Sequence, residues 1–304
     1  MSRLRDWLKA AAARLETAGV DNAAGDAFAL LEKVSGLDRT AYYLHSEDVL
    51  SEAQEAALEE LLVRRERREP LQHILGEWDF YGLTLKVGPQ ALIPRQDTEL
   101  LAETALAILK EKRESAGKAV SGAESCPGSL PGNAVRVLDL CTGSGCVALA
   151  VAAHAPAVTV TATDISADAL ALAQENARRL GLTGRVRFAC GDGFAALEET
   201  ARFDLICCNP PYIPSGEIAG LAPEVREYDP LSALDGGADG LVFYRRIAAQ
   251  APRYLKEGGW LLLEIGFDQG DAVSGLLRNA GFSAVTVLQD LGGRDRVVRG
   301  RRDF

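Results

Sequence analysis

The length, composition and charge of the chain limit the classes of protein to which it can belong. It has 304 residues, 47% of them hydrophobic, which is typical of a globular protein large enough for one α/β domain and a smaller one. Its formal net charge of −10 predicts a surface that repels a phosphate backbone, which argues against a nucleic-acid substrate. There is no signal-like apolar core at the N-terminus and no apolar run long enough for a membrane span, so we expect a cytoplasmic protein without a membrane partner.

The first 70 residues have a helical pattern. Apolar residues recur at three-to-four spacing in two stretches, and Ser51 with Gln54 fits a capping box that begins a third helix. The pattern predicts a small helical bundle over residues 1–70. The arginine-rich run at 64–68 is interpreted as a solvated helix face.

The periodicity changes after the bundle. Apolar and polar residues alternate and are interrupted by glycines, which predicts a linker over 71–95 that forms a β-hairpin or two short strands. A helix is predicted from Thr98 to Glu111. The stretch 114–133, rich in Ser, Gly, Ala and Pro and without periodicity, is predicted to be a flexible surface insertion.

Short apolar strands alternate with helices in the remainder of the chain, 96–304. This alternation predicts an α/β domain with a mostly parallel sheet covered by helices. We expect the strands near 134–140, 157–163, 185–189, 203–208, 258–264, 282–288 and 294–299.

The first of these strands runs into a glycine-rich turn, 141–145, that precedes a helix. Such glycines let a backbone approach a ligand closely, and the helix N-terminus offers N–H donors. Asp164 ends the next strand, where a carboxylate can accept from both hydroxyls of a ribose. The segment from Gly143 to Ala148 also fits the G-x-G-x-x-A pattern of nicotinamide dinucleotide sites. A dinucleotide-binding protein without catalysis therefore stays an alternative.

The fourth strand ends in the tetrapeptide Asn209-Pro210-Pro211-Tyr212, at the edge where open parallel sheets bind ligands. The prolines fix φ and lack N–H groups, which leaves the Asn209 side chain and the Pro210 carbonyl as preset acceptors. Two acceptors can bind both N–H groups of an amide or exocyclic amine and favour the positive charge that develops when this nitrogen attacks a methyl donor. Tyr212 can lie against the plane of the substrate. The tetrapeptide predicts methyl transfer to a planar nitrogen.

Further motifs extend over nearly the whole chain, and with the tetrapeptide they resemble the bacterial protein-(glutamine-N5) methyltransferases that modify class-1 peptide chain release factors. The motifs are those at 70–76, 92–95, 137–140, 142–146, 228–230, 236–241 and 264–266. The resemblance implies a Rossmann-like class I methyltransferase sheet of seven strands, mostly parallel with the last strand antiparallel. It also implies S-adenosyl-L-methionine as methyl donor and S-adenosyl-L-homocysteine as product.

The resemblance further implies that the substrate is a glutamine in a Gly-Gly-Gln loop of a class-1 release factor. The helical N-terminal domain would help to dock this factor, with no direct contact to nucleic acid. Residues 209–212 would be the catalytic and substrate-binding residues. The cofactor-binding residues would be Cys141, Thr142, Gly143, Ser144, Gly145, Asp164, Asp192, Gly193 and Asn209.

Three residues depart from the family pattern. Cys141 stands in place of the usual first glycine of the turn, which predicts that this position does not need a positive φ. Gln96 replaces a common proline, and His73 stands where tyrosine is frequent. None of the three removes an acceptor from the predicted chemistry.

The cysteines show no metal-ligand spacing. They form no CxxC pair and no cluster with histidine, so we predict reduced structural thiols and no metal site. They lie at positions 126, 141, 146, 190, 207 and 208.

Two other methyltransferase functions use the same tetrapeptide. Glutamine methylation of a ribosomal protein is the nearer one, and the motifs do not separate it from the release-factor reaction. An adenine-N6 methyltransferase of nucleic acid is the other, and it would need a basic cleft and a flipped base.

Overall fold

The computed structural model of the chain describes residues 2–119 and 135–303. Short 3₁₀ turns lie at Gln96–Thr98, Gly193–Ala196 and Ile218–Gly220. The α-helices are α1 Leu4–Thr17, α2 Ala23–Ser35, α3 Arg39–His45, α4 Glu52–Glu66, α5 Leu71–Leu75, α6 Glu99–Ala119, α7 Cys146–His154, α8 Ala167–Arg179, α9 Pro223–Arg226, α10 Leu231–Leu234, α11 Val242–Tyr254 and α12 Gly270–Asn279. The strands are β1 Glu77–Phe80, β2 Leu83–Lys86, β3 Val135–Leu140, β4 Val158–Asp164, β5 Val186–Cys190, β6 Phe203–Cys208, β7 Leu255–Glu264, β8 Ser283–Gln289 and β9 Asp295–Arg301.

The chain forms two compact units. One contains Met1–Glu77 together with Leu221–Tyr228, and the other contains Trp78–Gly220 and Asp229–Phe304. The helical unit therefore continues beyond residue 70, where we placed the boundary, and it includes a segment from much later in the chain. Residues 71–75, assigned to the hairpin linker, form α5.

The helical unit is the predicted bundle. Its helices bury a common apolar core that includes Leu15, Leu31, Leu58 and Leu62. The capping box before α4 is confirmed, because the Ser51 side chain accepts from the Gln54 backbone and the Gln54 side chain accepts in return.

The arginine-rich run is only in part the solvated face that we predicted: Arg67 is exposed, but Arg65 and Arg68 are not. Arg65 is only 6% exposed, and its Nε donates to Asp26 Oδ2 at 2.7 Å while its Nη2 donates to Glu224 Oε1 at 3.0 Å. Arg68 makes two hydrogen bonds of 2.6 and 2.7 Å to the same Glu224 carboxylate. The interpretation failed for these two residues because both carboxylates are remote from the run in sequence and become its partners only in the folded unit.

The second unit is built on a seven-stranded sheet in the order β5-β4-β3-β6-β7-β9-β8. Strands β3 to β7 pair in parallel, and β9 runs antiparallel to both β7 and β8. The predicted mostly parallel sheet with an antiparallel last strand is confirmed. The β1–β2 hairpin forms a separate two-stranded sheet.

Helix α6 is longer than the sequence predicted. It continues from Glu99 to Ala119, eight residues beyond the expected end at Glu111. Residues 114–119, which composition assigned to an insertion, are thus helical although they include Ser115 and Gly117. The stretch 110–114 before them is rich in Lys, Arg and Glu and has good helix propensity even without a clear apolar period. The rest of the predicted insertion, 120–133, lies outside the described residues.

Both faces of the large sheet are covered. In β6, Leu205 and Cys207 belong to one apolar cluster, and Ile206 and Cys208 belong to the cluster on the other face. Burial on both sides explains why the strands read as short continuous apolar runs. The strand order reverses at β3, so the loops after β3 and β6 meet at the carboxyl edge of the sheet, where such folds bind ligands.

Candidate active site

A cavity of about 520 Å³ lies at this edge of the sheet, entirely within the second unit. It brings together most of the predicted site residues from four separate segments. Those that line it are Cys141, Thr142, Gly143, Ser144, Asp164, Asp192, Gly193, Asn209 and Pro211. Gly145, Pro210 and Tyr212 are not part of the lining.

Asp139 holds the glycine turn in place through hydrogen bonds. This buried carboxylate accepts from Thr142 Oγ1 at 2.6 Å and from the Ala148 N–H at 3.1 Å, which ties the turn to the first residues of α7. Burial raises the pKa of Asp139 to about 7, and the two hydrogen bonds oppose this rise. Gly145, with φ +84, packs against α8, because a Cβ there would lie 3.1 Å from Ala173 Cβ.

Cys141 overturns one expectation. Its φ is +56, in the left-handed region that favours glycine. The chain turns sharply between the end of β3 and the glycines, and this turn sets the backbone angle whatever the side chain is. Holding a side chain in that region costs about 1–2 kcal/mol, which the surrounding fold must supply.

Asp164 and Asp192 are the two carboxylates at the cavity. Asp164 accepts from the Gly143 N–H and the Ser166 N–H, both at 2.9 Å, so it joins the glycine turn to the end of β4. Asp192 is exposed and forms an ion pair of 2.8 Å with Arg246. Ile165 also lines the cavity and is 63% exposed. Two carboxylates can accept hydrogen bonds from the hydroxyl and amino groups of a nucleoside, and an exposed apolar side chain can lie against its base. The arrangement therefore suits a nucleoside.

The Asn209 amide is oriented by a residue that the sequence analysis missed. Its Nδ2 donates to Thr98 Oγ1 at 3.2 Å, and both residues line the cavity. The other end of the amide, Oδ1, is thereby the atom that can accept from a substrate. Pro210 and Pro211 are buried, which fixes the backbone after Asn209.

The Tyr212 backbone is fixed by a second missed residue, Gln269. Its Nε2 donates to the Tyr212 carbonyl at 3.0 Å, while its Oε1 accepts from the Gly266 N–H at 2.9 Å. Gly236 and Gly240 lie directly against this backbone: a Cβ on Gly236 would be 2.8 Å from Tyr212 Cα, and one on Gly240 would be 2.7 Å from Gln269 Nε2. The glycines of the 236–241 motif thus permit the close approach that holds the tetrapeptide.

Tyr212 is not among the residues that line the cavity. It packs against the apolar cluster on one face of the sheet. Burial, and after it the nearby Glu264 carboxylate, raises the pKa of Tyr212 to about 12, so the phenol stays neutral at physiological pH.

Other missed residues complete the wall. Arg95 donates to the buried Asp229 at 2.6 Å, and Phe243 lies on the same wall beside Arg246. Arg95 and Asp229 fall within motifs that the sequence analysis quoted, so the resemblance carried a signal for them. Thr98 and Gln269 carried none, since each acts through a partner far away in the sequence.

The described residues contain no group of three or more His, Cys, Asp or Glu side chains that could hold a metal ion. Cys207 and Cys208 are buried thiols, and desolvation raises the pKa of each well above its ordinary value. In the same part of the chain, none of the helices combines the length and the apolar character needed to cross a membrane.

Comparisons with known proteins show the family of the chain. The model of the PrmC N-terminal domain matches residues 6–76, and that of the methyltransferase small domain matches residues 123–221. A release factor glutamine methyltransferase of Geobacter sulfurreducens is 42% identical over 299 residues, covering 98% of this chain and 95% of that protein. The chain belongs to the release factor glutamine methyltransferase family.

A second family member gives the same assignment, and a solved structure agrees with the fold. The family member of Cereibacter sphaeroides is 44% identical over 98% of this chain and 98% of its own length. A solved structure of the hMettl16 catalytic domain, 16% identical, covers 84% of this chain and 82% of that chain with a TM-score of 0.52. At that identity the likeness concerns the fold alone, and it supports a methyltransferase fold for the second unit.

Proposed function

We propose that this family member transfers a methyl group from S-adenosyl-L-methionine to the side-chain nitrogen N5 of the glutamine in the Gly-Gly-Gln loop of class-1 release factors. The observation that carries the proposal is the orientation of Asn209, whose Nδ2 is engaged by Thr98 so that Oδ1 can accept from a substrate N–H at the cavity. S-adenosyl-L-homocysteine would be the product. We also infer a cytoplasmic protein that acts on a protein and makes no direct contact with nucleic acid.

The residues of the cavity fit the proposed cofactor. Asp164 would bind the ribose hydroxyls, since each of its oxygens has already taken one backbone N–H and retains a second lone pair. Asp192 and Gly193 would face the adenine edge, with Ile165 against its plane, and 141–145 would lie along the amino-acid part. When bound, the cofactor supplies an electrophilic sulfonium methyl group.

The tetrapeptide would bind the glutamine side chain and orient its amide nitrogen. Asn209 Oδ1 and the Pro210 carbonyl would accept from the two N–H groups of the amide and orient the nitrogen in line with the methyl. The C–N bond would form as the C–S bond breaks and its electron pair passes to sulfur. The nitrogen would then be positively charged and would lose a proton to solvent. Both acceptors favour this developing charge in a partly buried site, where such interactions are strong.

The helical unit would contribute to docking of the release factor. Tyr43 and Leu44 in α3 are 78% and 80% exposed, and adjacent large apolar side chains at a surface are typical of protein interaction sites. Replacing both by serine is expected to raise KM for the release factor while leaving kcat and cofactor affinity unchanged. An unchanged KM would remove these residues from the docking surface.

The proposed function is tested by incubating the protein with labelled S-adenosyl-L-methionine and a purified class-1 release factor, and locating the label by mass spectrometry. Label is expected on the loop glutamine and is expected to vanish when that glutamine is replaced. Asn209→Ala is expected to lower kcat by about 100-fold or more while the cofactor still binds. Asn279→Ala, an exposed asparagine at the end of α12, is the matched control.

Three outcomes would contradict the proposal. Label on a ribosomal protein, and none on the release factor, would favour the related glutamine methyltransferase. Label on adenine in nucleic acid, with salt-sensitive binding, would favour the adenine-N6 reading. Tight binding of a nicotinamide dinucleotide without binding of S-adenosyl-L-methionine would exclude methyl transfer as the function of the protein.

A further inference from the structure

A buried carboxyl group lies directly beside the proposed catalytic amide. Glu264 is the last residue of β7 and is 2% exposed. Leu263 of β7 pairs with Cys208 of β6, so Glu264 lies alongside Asn209, the residue that follows β6. None of the roles described so far requires an acid at this position.

The side chains around Glu264 connect it to Asn209. The polar side chains of Thr98 and Asn209 and the positive charge of Arg296 lie near enough to favour the ionised carboxylate. Among the described residues, the buried Oε2 of Glu264 has no hydrogen-bond partner, so it is an acceptor that remains open. Burial and the neighbouring Asp97 carboxylate oppose ionisation. Tyr212 lies close enough for its phenol to be affected by the Glu264 charge.

The Thr98 hydroxyl can connect Asn209 to Glu264. Its Oγ1 accepts from Asn209 Nδ2 at 3.2 Å, so its single hydroxyl proton remains to be donated, and Glu264 is the carboxylate it faces. Thr98 is itself 2% exposed, which keeps water from competing for either bond.

We infer that Glu264 is a positioning residue, which acts through Thr98 and directly on Nδ2 to keep the Asn209 amide in the orientation that presents Oδ1 to the cavity. The physical reason is that Glu264, once it is ionised above its pKa of about 7, only accepts hydrogen bonds. A flipped Asn209 would turn its own acceptor, Oδ1, toward Glu264 and Thr98 and would offer an N–H to the substrate N–H. This inference rests on the proposed function, because it supplies the orientation that the reaction needs.

Two substitutions of Glu264 have different expected effects. Glu264→Leu keeps the approximate volume but removes every acceptor, so Asn209 is free to flip. Glu264→Gln keeps one acceptor oxygen and is expected to stay much closer to the unsubstituted protein. For Glu264→Leu we expect kcat to fall about 100-fold, the effect of losing one aligned acceptor, with the cofactor Kd unchanged.

Thr98 provides an independent set of variants. Thr98→Val removes the hydroxyl link at constant shape and is expected to lower kcat in the same way, while Thr98→Ser restores it. The matched control is Thr104→Val, a buried threonine of α6 whose hydroxyl donates to the Leu100 carbonyl, away from the cavity. A general effect on folding would appear in this control as well.

The deciding experiment is a double-mutant cycle with Asn209→Ala on the full chain, using release factor and labelled S-adenosyl-L-methionine. If Glu264 acts only through Asn209, Glu264→Leu lowers kcat in the unsubstituted protein and causes no further loss once Asn209 is alanine. An equal loss in both backgrounds, or an unchanged kcat in the single variant, overturns the inference. If Glu264→Leu does not fold, the same cycle with Thr98→Val decides the question. Absence of transfer by the unsubstituted protein would instead contradict the proposed function.

Discussion

Gln269 donates from Nε2 to the carbonyl oxygen of Tyr212 at 3.0 Å, which joins the turn after β7 to the tetrapeptide after β6. The same Nε2 also approaches the Gly240 carbonyl at 3.4 Å. One buried amide therefore holds two loops that meet at the cavity, and it does so through backbone atoms. The position of Asn209 and Pro210 depends on this contact although Gln269 does not line the cavity.

Gly240→Ala tests the close approach of these loops. Gly240 has φ +69, and a Cβ there would collide with the Tyr212 carbonyl and with Gln269 Nε2. The strained backbone alone costs about 1–2 kcal/mol, and displacement of Tyr212 is expected to reduce kcat more than cofactor affinity. Steady-state kinetics and calorimetry with the cofactor measure the two effects.

The control for this variant is Gly275→Ala in α12. A Cβ there would have no neighbour within 4 Å and φ is not positive, so alanine is expected to stabilise the helix by about 0.5–1 kcal/mol without changing kcat. Equal kcat in both variants would show that the Tyr212 contact is unimportant for the reaction.

Asp164→Asn tests the carboxylate that joins the glycine turn to β4. The new amide can still accept one backbone N–H, but its NH₂ group would face the other, so one hydrogen bond is lost at a cost of about 1–3 kcal/mol. We expect weaker cofactor binding and lower stability, measured by calorimetry and urea unfolding. The exposed Asp168→Asn, in the first turn of α8, should change neither by more than a few tenths of a kcal/mol.

The pH dependence of stability follows from Asp139 and Glu264. Burial raises the pKa of each to about 7 from ordinary values of 3.8 and 4.5. Between those values the folded state binds more protons than the unfolded state. The contribution of each group to the free energy of unfolding is therefore fully present below its ordinary pKa. It is lost as the pH rises through about 7, by on the order of 3 kcal/mol for each group.

Urea unfolding between about pH 4 and about pH 8 checks this expectation. Asp139→Asn and Glu264→Gln cannot ionise, so each is expected to flatten the decline, and the double variant should remove most of it. A decline of the same size in the double variant would assign the pH dependence to other groups.

Arg65→Ala tests the ion-pair network of the helical unit. It leaves the Asp26 carboxylate buried without its cation, which is expected to cost about 3–5 kcal/mol in the free energy of unfolding. Arg67→Ala, at an exposed neighbouring position, should stay within about 0.5 kcal/mol. Joint replacement of Arg65 by Met and Asp26 by Leu is expected to recover part of the loss. If Arg65→Ala and Arg67→Ala have the same free energy of unfolding, the network contributes nothing to stability.

The sequence by itself determined the order and type of the elements, since period-2 and period-3.6 patterns reflect local burial. The strands of the large sheet, the glycine turn and the Asn209–Tyr212 tetrapeptide could all be placed because each is contiguous in the chain. Motif order likewise indicated the family, which the comparisons confirmed. The end of α6 was missed because a charged helix surface has no apolar period to mark where it stops.

Only the tertiary structure decided how distant residues act on that tetrapeptide. Thr98 reaches Asn209 across 111 positions and Gln269 reaches Tyr212 across 57, and no local pattern encodes such pairings. The positive φ of Cys141 and the burial of Arg65 are decided in the same way, by a turn imposed from the sheet and by carboxylates brought in from elsewhere. Local sequence specifies which groups can do the chemistry, whereas packing and hydrogen bonding between remote segments specify which way they point.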